Sequence, residues 1–332
     1  MNSACDLCPR GCNVDRKHSP GFCGEGVSMR VARAALHFWE EPSISGTGGS
    51  GAVFFTGCNL KCIFCQNAAI SEGSATTGGR TNAANTARMI GKEVSTAELA
   101  DIFFSLKEKG AHNINLVTPT HFVPQIRETI ILAKKQGFDL PIVYNSSAYE
   151  SVETLRLLEG LIDVYLPDFK YMDAKKAKEY SHAQDYPEVA KAAVKEMFRQ
   201  VGEPVFYDDK KDNDGMEATG AGLIMKGVIV RHLVLPLGVK NACDVIDYLA
   251  ETYSESIYIS VMSQYTPLAA TPGALTDAQK ARLAPYPELA RRVTKREYER
   301  VIRHCCDLGL TNVYIQEGDV AKDSFIPIWD IS

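Results

Sequence analysis

The sequence lacks any apolar run long enough to cross a membrane. Its most apolar stretch, GVIVRHLVLPLGV from Gly227, falls short of the roughly 20 residues a spanning helix needs and is broken by Arg231 and His232. A general excess of basic charge is also missing. The 36 Lys and Arg stand against 41 Asp and Glu, a net charge of −5, which makes nucleic acid an unexpected partner without excluding local contact with RNA. The opening MNSACDLCPRG has no apolar core and does not read as a secretory signal. The chain is therefore expected to be soluble and cytoplasmic, with no membrane partner. In a reducing compartment its ten cysteines point to metal ligands rather than disulfides. Internal repeats of solenoid length are absent as well.

What is present begins with size: 332 residues, 45% of them hydrophobic, enough for one barrel-like α/β domain or two smaller ones. Seven short β-branched runs read as buried strands: AVFFT (52–56), NINLVT (113–118), PIVYN (141–145), DVYLPD (163–168), VIVRHLVLP (228–236), SIYISVM (256–262) and NVYIQ (312–316). Helical patterns separate them. STAELADIFFSLKEKG carries Ser95 or Thr96 as N-cap, Glu98 in its first turn and Gly110 as a stop; TKREYERVIRHCCDLG repeats that grammar from Thr294, and KNACDVIDYLAETY follows Val239. Strand–helix alternation predicts parallel strands with right-handed crossovers. The fold class expected is α/β: a partial (β/α)6-type barrel over residues 51–332 with C-terminal additions, behind a cysteine-rich metal-binding extension over residues 1–50. Its site should lie at the carboxyl ends of the strands. Ser71–Asn85 reads as a mobile loop. Asp208–Gly222 reads as a solvated hairpin, since Lys210 stands where a calcium loop would need its first carboxylate.

The most informative absence is a fourth cysteine. GCNLKCIFCQN holds Cys58, Cys62 and Cys65 as C-x3-C-x2-C, directly after the first strand. Three thiolates on a four-iron cubane leave one iron open to an external ligand, where an electron carrier would be closed by a fourth cysteine. Zinc binding is the alternative. Upstream, Cys5, Cys8, Cys12 and Cys23 form C-x2-C-x3-C-x10-C, sufficient for a closed site. A second 4Fe–4S cluster and a structural zinc both fit that count, with His18 as a substitute ligand. An auxiliary cluster there would relay electrons or bind substrate. Cys243, Cys305 and Cys306 read as small apolar residues.

C-x3-C-x2-C after a first strand, with the aromatic Phe64 before the last cysteine, resembles the radical S-adenosylmethionine (SAM) enzymes. The longer set CDLCPRGCNVDR, GFCGEG, FFTGCNLKCIFCQN, INLVTPTHF, YNSSAYE, VYLPDFKY, RHLVLPLG and SQYTP resembles the pyruvate formate-lyase-activating enzymes, in a branch with an N-terminal cysteine motif. The resemblance implies that SAM chelates the open iron. It also implies that the reduced cluster cleaves SAM to a 5′-deoxyadenosyl radical, which abstracts hydrogen from a substrate such as a glycyl-radical enzyme. A small molecule, a peptide or an RNA base is the alternative substrate. A flavodoxin- or ferredoxin-like protein would supply the electron. No catalytic residue beyond cluster and SAM is implied. By the same resemblance Phe64, Asp168 and Lys170 face SAM, as do Asn145 and Ser146, although Asn145 replaces an acid that helps bind a monovalent cation in the activating enzymes. Thr120 stands in for a Gly-Gly-Glu turn, with His121 beside it; Arg231 or His232 faces adenine; Gln264, with Tyr265, replaces a histidine. A non-catalytic iron–sulfur or zinc redox sensor would explain the cysteines but not the rest.

Overall fold

In the computed structural model residues 4–72, 90–207, 222–268 and 277–316 are described. Apart from their ends, the expected loop at 71–85 and hairpin at 208–222 lie outside them. Among these residues ten strands form the sheet: β1 (Arg30–His37), β2 (Ser50–Phe55), β3 (Lys92–Glu93), β4 (Ile114–Val117), β5 (Ile142–Ser146), β6 (Val164–Pro167), β7 (Val205–Phe206), β8 (Ile224–Leu233), β9 (Tyr258–Met262) and β10 (Val313–Ile315). Their order is β10-β9-β8-β6-β5-β4-β2-β1-β3, with β7 paired to β8. The seven strands read from the sequence are β2, β4, β5, β6, β8, β9 and β10, and all their mutual pairings are parallel. The fold is α/β, with the parallel sheet of a partial barrel.

Side chains alternate across this sheet with period two, and the two faces have different jobs. Val53, Phe55, Leu116, Tyr144, Tyr165, Val228 and Val230 pack in the large outer core with the helices. Ala52, Phe54 and Val117 turn the other way, as do Val143, Val164, Leu166 and Ile229, which close over Ile44. Ile44 belongs to the short helix Pro42–Ser45, is fully buried, and plugs the barrel interior. Two helices carry reciprocal capping boxes: Ser95 with Glu98, and Thr294 with Glu297.

The extension differs from the sequence reading at its inner end. β1 falls within residues 1–50, yet it pairs antiparallel with β2, from Val31 opposite Phe55 to His37 opposite Ser50. Residues 30–37 thus join the sheet, and the cysteine-rich segment proper precedes them. RVARAALH has one β-branched residue and small or charged neighbours, a weak strand signal that pairing with a fully buried β2 overrides.

Candidate functional site

The loop after β2 turns through Gly57 at φ +82°, where a Cβ would stand 2.6 Å from Glu25 Cγ and 2.9 Å from the Cys23 carbonyl oxygen. Only glycine fits so close an approach. The loop delivers Cys58, Cys62 and Cys65 to a cleft of about 230 Å3 whose lining comes largely from the carboxyl ends of β2, β4, β5, β6, β8 and β9. The Ser181 hydroxyl donates to Cys62 Sγ at 2.9 Å, and Leu60 N–H to Cys58 Sγ at 3.4 Å. Phe64 is buried edge-on between Tyr180 and Tyr265 and holds the loop down. Burial pushes the Cys62 thiol up against the opposing pull of Lys170, and pushes that of Cys65 to about 12. Without a metal the Cys62 and Cys65 sulfurs keep their protons; a bound metal would displace them.

Opposite the thiols lies a charged array. Asp168 and Arg231 form a parallel bridge just beyond the β6–β8 ladder. The Arg231 guanidinium donates from Nε to Asp168, from one terminal nitrogen to Glu40 and from the other to the Asn145 side-chain oxygen, each at 2.7 Å. Lys170 Nζ takes the second oxygen of Asp168, also at 2.7 Å. Burial alone would raise the Asp168 pKa, but Arg231 and then Lys170 hold it below the usual carboxylate range. Burial would lower that of Lys170; Asp168, then Cys62, reverse it. A guanidinium therefore sits between Asp168 and Asn145, so the positive charge there belongs to the chain itself.

Ten of the sequence-derived residues line this cleft: Cys58, Cys62, Phe64, Cys65, Asn145, Ser146, Asp168, Lys170, Arg231 and Gln264. Thr120 and His232 do not. Thr120 lies in a 3-10 turn, fully buried, and its hydroxyl donates to Glu150 at 2.6 Å. His232 follows Arg231 on one strand, so it faces the helices, where its Nδ1 meets the Phe169 carbonyl at 2.7 Å. His121 packs behind the cleft with Nε2 2.7 Å from the Thr56 carbonyl oxygen, and burial drives its pKa to about 3. Thr118 does line the cleft. Glu40 was not anticipated. It reaches the cleft from the segment after β1, where it also accepts from Asn115 at 3.1 Å. No sequence motif marks it.

The N-terminal cysteines gather beside the same loop. A Cβ placed on Gly21 would lie 3.5 Å from Cys12 Sγ and 3.6 Å from Cys23 Sγ, so those sulfurs face one point. Cys8 interacts electrostatically with Cys12 and Cys23, and Cys23 with Cys5. Burial pushes the Cys8 thiol to about 12 and raises that of Cys23. His18 is exposed and faces Asp15. Arg10 clamps the segment down: it donates to Asn59 O at 2.7 Å, to Ser181 O at 2.8 Å and to His182 O. It thereby caps the C-terminal end of the helix Ala174–Ser181. Arg16 does likewise on the carbonyls of Glu25, Gly26 and His121. Of the remaining cysteines, Cys305 is buried, Cys243 half-buried and Cys306 exposed.

Among the described residues, no three His, Cys, Asp or Glu side chains converge as a single metal ion requires. A cubane makes no such demand, because each thiolate holds a different iron. The cleft offers three soft sulfur donors and no fourth cysteine, with a buried cation–anion array beside them. That donor set fits a cluster with one open position and a polar, charged ligand. Among the described residues, no helix is long and apolar enough to cross a membrane.

Comparison with known proteins places a match to the radical SAM superfamily model over residues 52–206. The uncharacterized protein MJ0674 of Methanocaldococcus jannaschii is 27% identical over 315 residues, covering 93% of this chain and 76% of that one. Among solved structures, Streptococcus suis SuiB bound to precursor peptide SuiA is similar over 79% of this chain and 47% of that one, at 13% identity and TM-score 0.47. Methylornithine synthase (PylB) is similar over 80% and 72%, at 14% identity and TM-score 0.40. The chain thus spans about half the length of SuiB.

Proposed function

We propose that this chain, whose residues 52–206 carry a radical SAM superfamily domain, is an enzyme that holds a 4Fe–4S cluster on Cys58, Cys62 and Cys65 and binds SAM next to it. The observation that carries this reading is the meeting, in one cleft, of three thiols with the Asp168–Lys170–Arg231 array. Bound together, cluster and SAM supply reductive sulfonium cleavage and hydrogen-atom abstraction from a substrate C–H bond. The chain's own residues position and shield. Lys170, close to Cys62 and tied to Asp168, would pair with the cofactor's carboxylate by a charge-assisted hydrogen bond. Asn145 and Ser146 at the end of β5 offer polar contacts. Phe54, Leu60, Phe64, Leu233 and Met262 supply an apolar wall that keeps water from the reacting groups.

For the substrate we favour a polypeptide, with a glycyl-radical protein first. Trp39 lines the cleft and is 56% exposed, and Phe38 next to it is 50% exposed; such a surface suits a macromolecular partner more than a small metabolite. The electron donor in this reading is a flavodoxin- or ferredoxin-like carrier. A non-catalytic sensor would leave the charged cleft without a role. The test is to mix the reduced, SAM-loaded protein with a glycyl-radical-enzyme polypeptide and record its electron paramagnetic resonance spectrum. A carbon-centred radical on the partner supports the reading. SAM cleavage with no radical on that polypeptide would move the substrate to a small molecule, another peptide or an RNA base.

A further inference from the structure

The N-terminal cysteines stand apart from the cleft but not from its cluster loop. None of Cys5, Cys8, Cys12 and Cys23 lines the cleft, yet two short routes join the groups. The Cys58 N–H donates to the Cys23 carbonyl at 3.2 Å. The second route runs through Arg10, between Cys8 and Cys12: its guanidinium holds the Ser181 carbonyl, and the Ser181 hydroxyl donates to Cys62 Sγ. The ammonium of Lys61 feels both Cys23 and Cys58, so one positive charge serves both groups. On the far side, Cys5, Cys8 and Cys12 are partly exposed, and residues 17–20 around them are open to solvent.

Building on the reading above, we propose that Cys5, Cys8, Cys12 and Cys23 hold a second iron–sulfur cluster that relays electrons from an external carrier to the cleft. Four thiolates close such a cluster, and its exclusion from the cleft argues against substrate binding. Zinc is redox-inert and could not carry an electron to the cleft. A reduced one-electron carrier of the flavodoxin or ferredoxin class gives one electron to the N-terminal cluster and leaves oxidised. The same electron then passes to the cleft cluster, and no bond or proton changes hands in the relay.

Three proteins test this after anaerobic reconstitution: the wild type, Cys58→Ala/Cys62→Ala/Cys65→Ala, and Cys5→Ala/Cys8→Ala/Cys12→Ala. Iron analysis should give about eight irons in the wild type and about four in each variant, one cubane being lost each time. Zinc in place of iron in the cleft-cysteine variant overturns the inference. Absence of iron from the N-terminal variant would instead count against the cleft cluster itself, so the two readings fail separately. Stopped-flow reduction by reduced flavodoxin is then compared with reduction by dithionite, a small reductant that reaches the cleft directly. The ratio of the flavodoxin rate to the dithionite rate should fall by about tenfold or more in the N-terminal variant; an unchanged ratio overturns the relay. If that variant does not fold, freeze-quench spectra of the wild type decide. The N-terminal signal should precede the SAM-sensitive one, and the reverse order refutes the proposal.

Discussion

Replacing Arg231 by methionine keeps an unbranched apolar stem and removes the charge that joins three partners. Arg231 is 12% exposed as a side chain, Glu40 10% and Asp168 22%, so little water is available to take its place. After Arg231→Met, Asp168 keeps Lys170, but among the described residues Glu40 keeps only the amides of Asn115 and Asn145. Leaving such a buried charge unpaired costs about 3–5 kcal/mol. For a chain of 332 residues, an unfolding entropy of about 2.1 cal/mol/K per residue turns this into a Tm loss of about 4–7 °C. Differential scanning of the metal-free protein under reducing conditions measures it. The double variant Glu40→Gln/Arg231→Met removes the orphaned carboxylate and should recover part of the loss, because the two sites share one interaction. Arg231→Lys should recover less than full stability, since one ammonium cannot match a three-way fork. A Tm for Arg231→Met within 1 °C of the wild type, roughly the effect of less than 1 kcal/mol, would refute this account of the cleft floor.

Lys170→Met should weaken SAM binding by roughly 10- to 150-fold, the value of a charge-assisted hydrogen bond of about 1.5–3 kcal/mol, and isothermal calorimetry on the cluster-loaded protein reads it. Gly57→Ala forces a Cβ into Glu25 and the Cys23 carbonyl at φ +82° and should cost about 2 kcal/mol or more, read by urea unfolding. Burial holds His232 neutral, with its pKa lowered from 6.5 to about 4. Below pH 6.5 the unfolded chain takes up a proton that the folded chain does not, so stability present at neutral pH falls as pH drops from 6.5 toward 4. That amounts to about 2 kcal/mol by pH 5, and His232→Asn should flatten this part of the wild-type profile by the same amount.

The parallel core was legible because β4, β5 and β6 are short β-branched runs bounded by turn residues, and because Ser95–Glu98 and Thr294–Glu297 spell out helix starts. β1 was not, since its strand character comes from pairing rather than from RVARAALH itself. The cleft was legible where chemistry and spacing coincide, in the cysteine loop and in the LPDFK segment. The sequence offered Arg231 or His232 as the inward-facing residue; adjacent strand positions face opposite sides, and Arg231 is the one that enters. Thr120 went elsewhere because Glu150, a buried carboxylate whose pKa burial raises to about 7, demands hydroxyl partners. Glu40 left no trace in sequence because its role depends on where β1 ends relative to three distant strands.

The central claim rests on cleavage of SAM by a cluster on Cys58, Cys62 and Cys65. The most direct measurement incubates the anaerobically reconstituted protein with dithionite and SAM and quantifies 5′-deoxyadenosine by mass spectrometry, with Cys62→Ala alongside. The account predicts product from the wild type and none from the variant. A wild type that assembles no oxygen-sensitive cluster and neither binds nor cleaves SAM would contradict it.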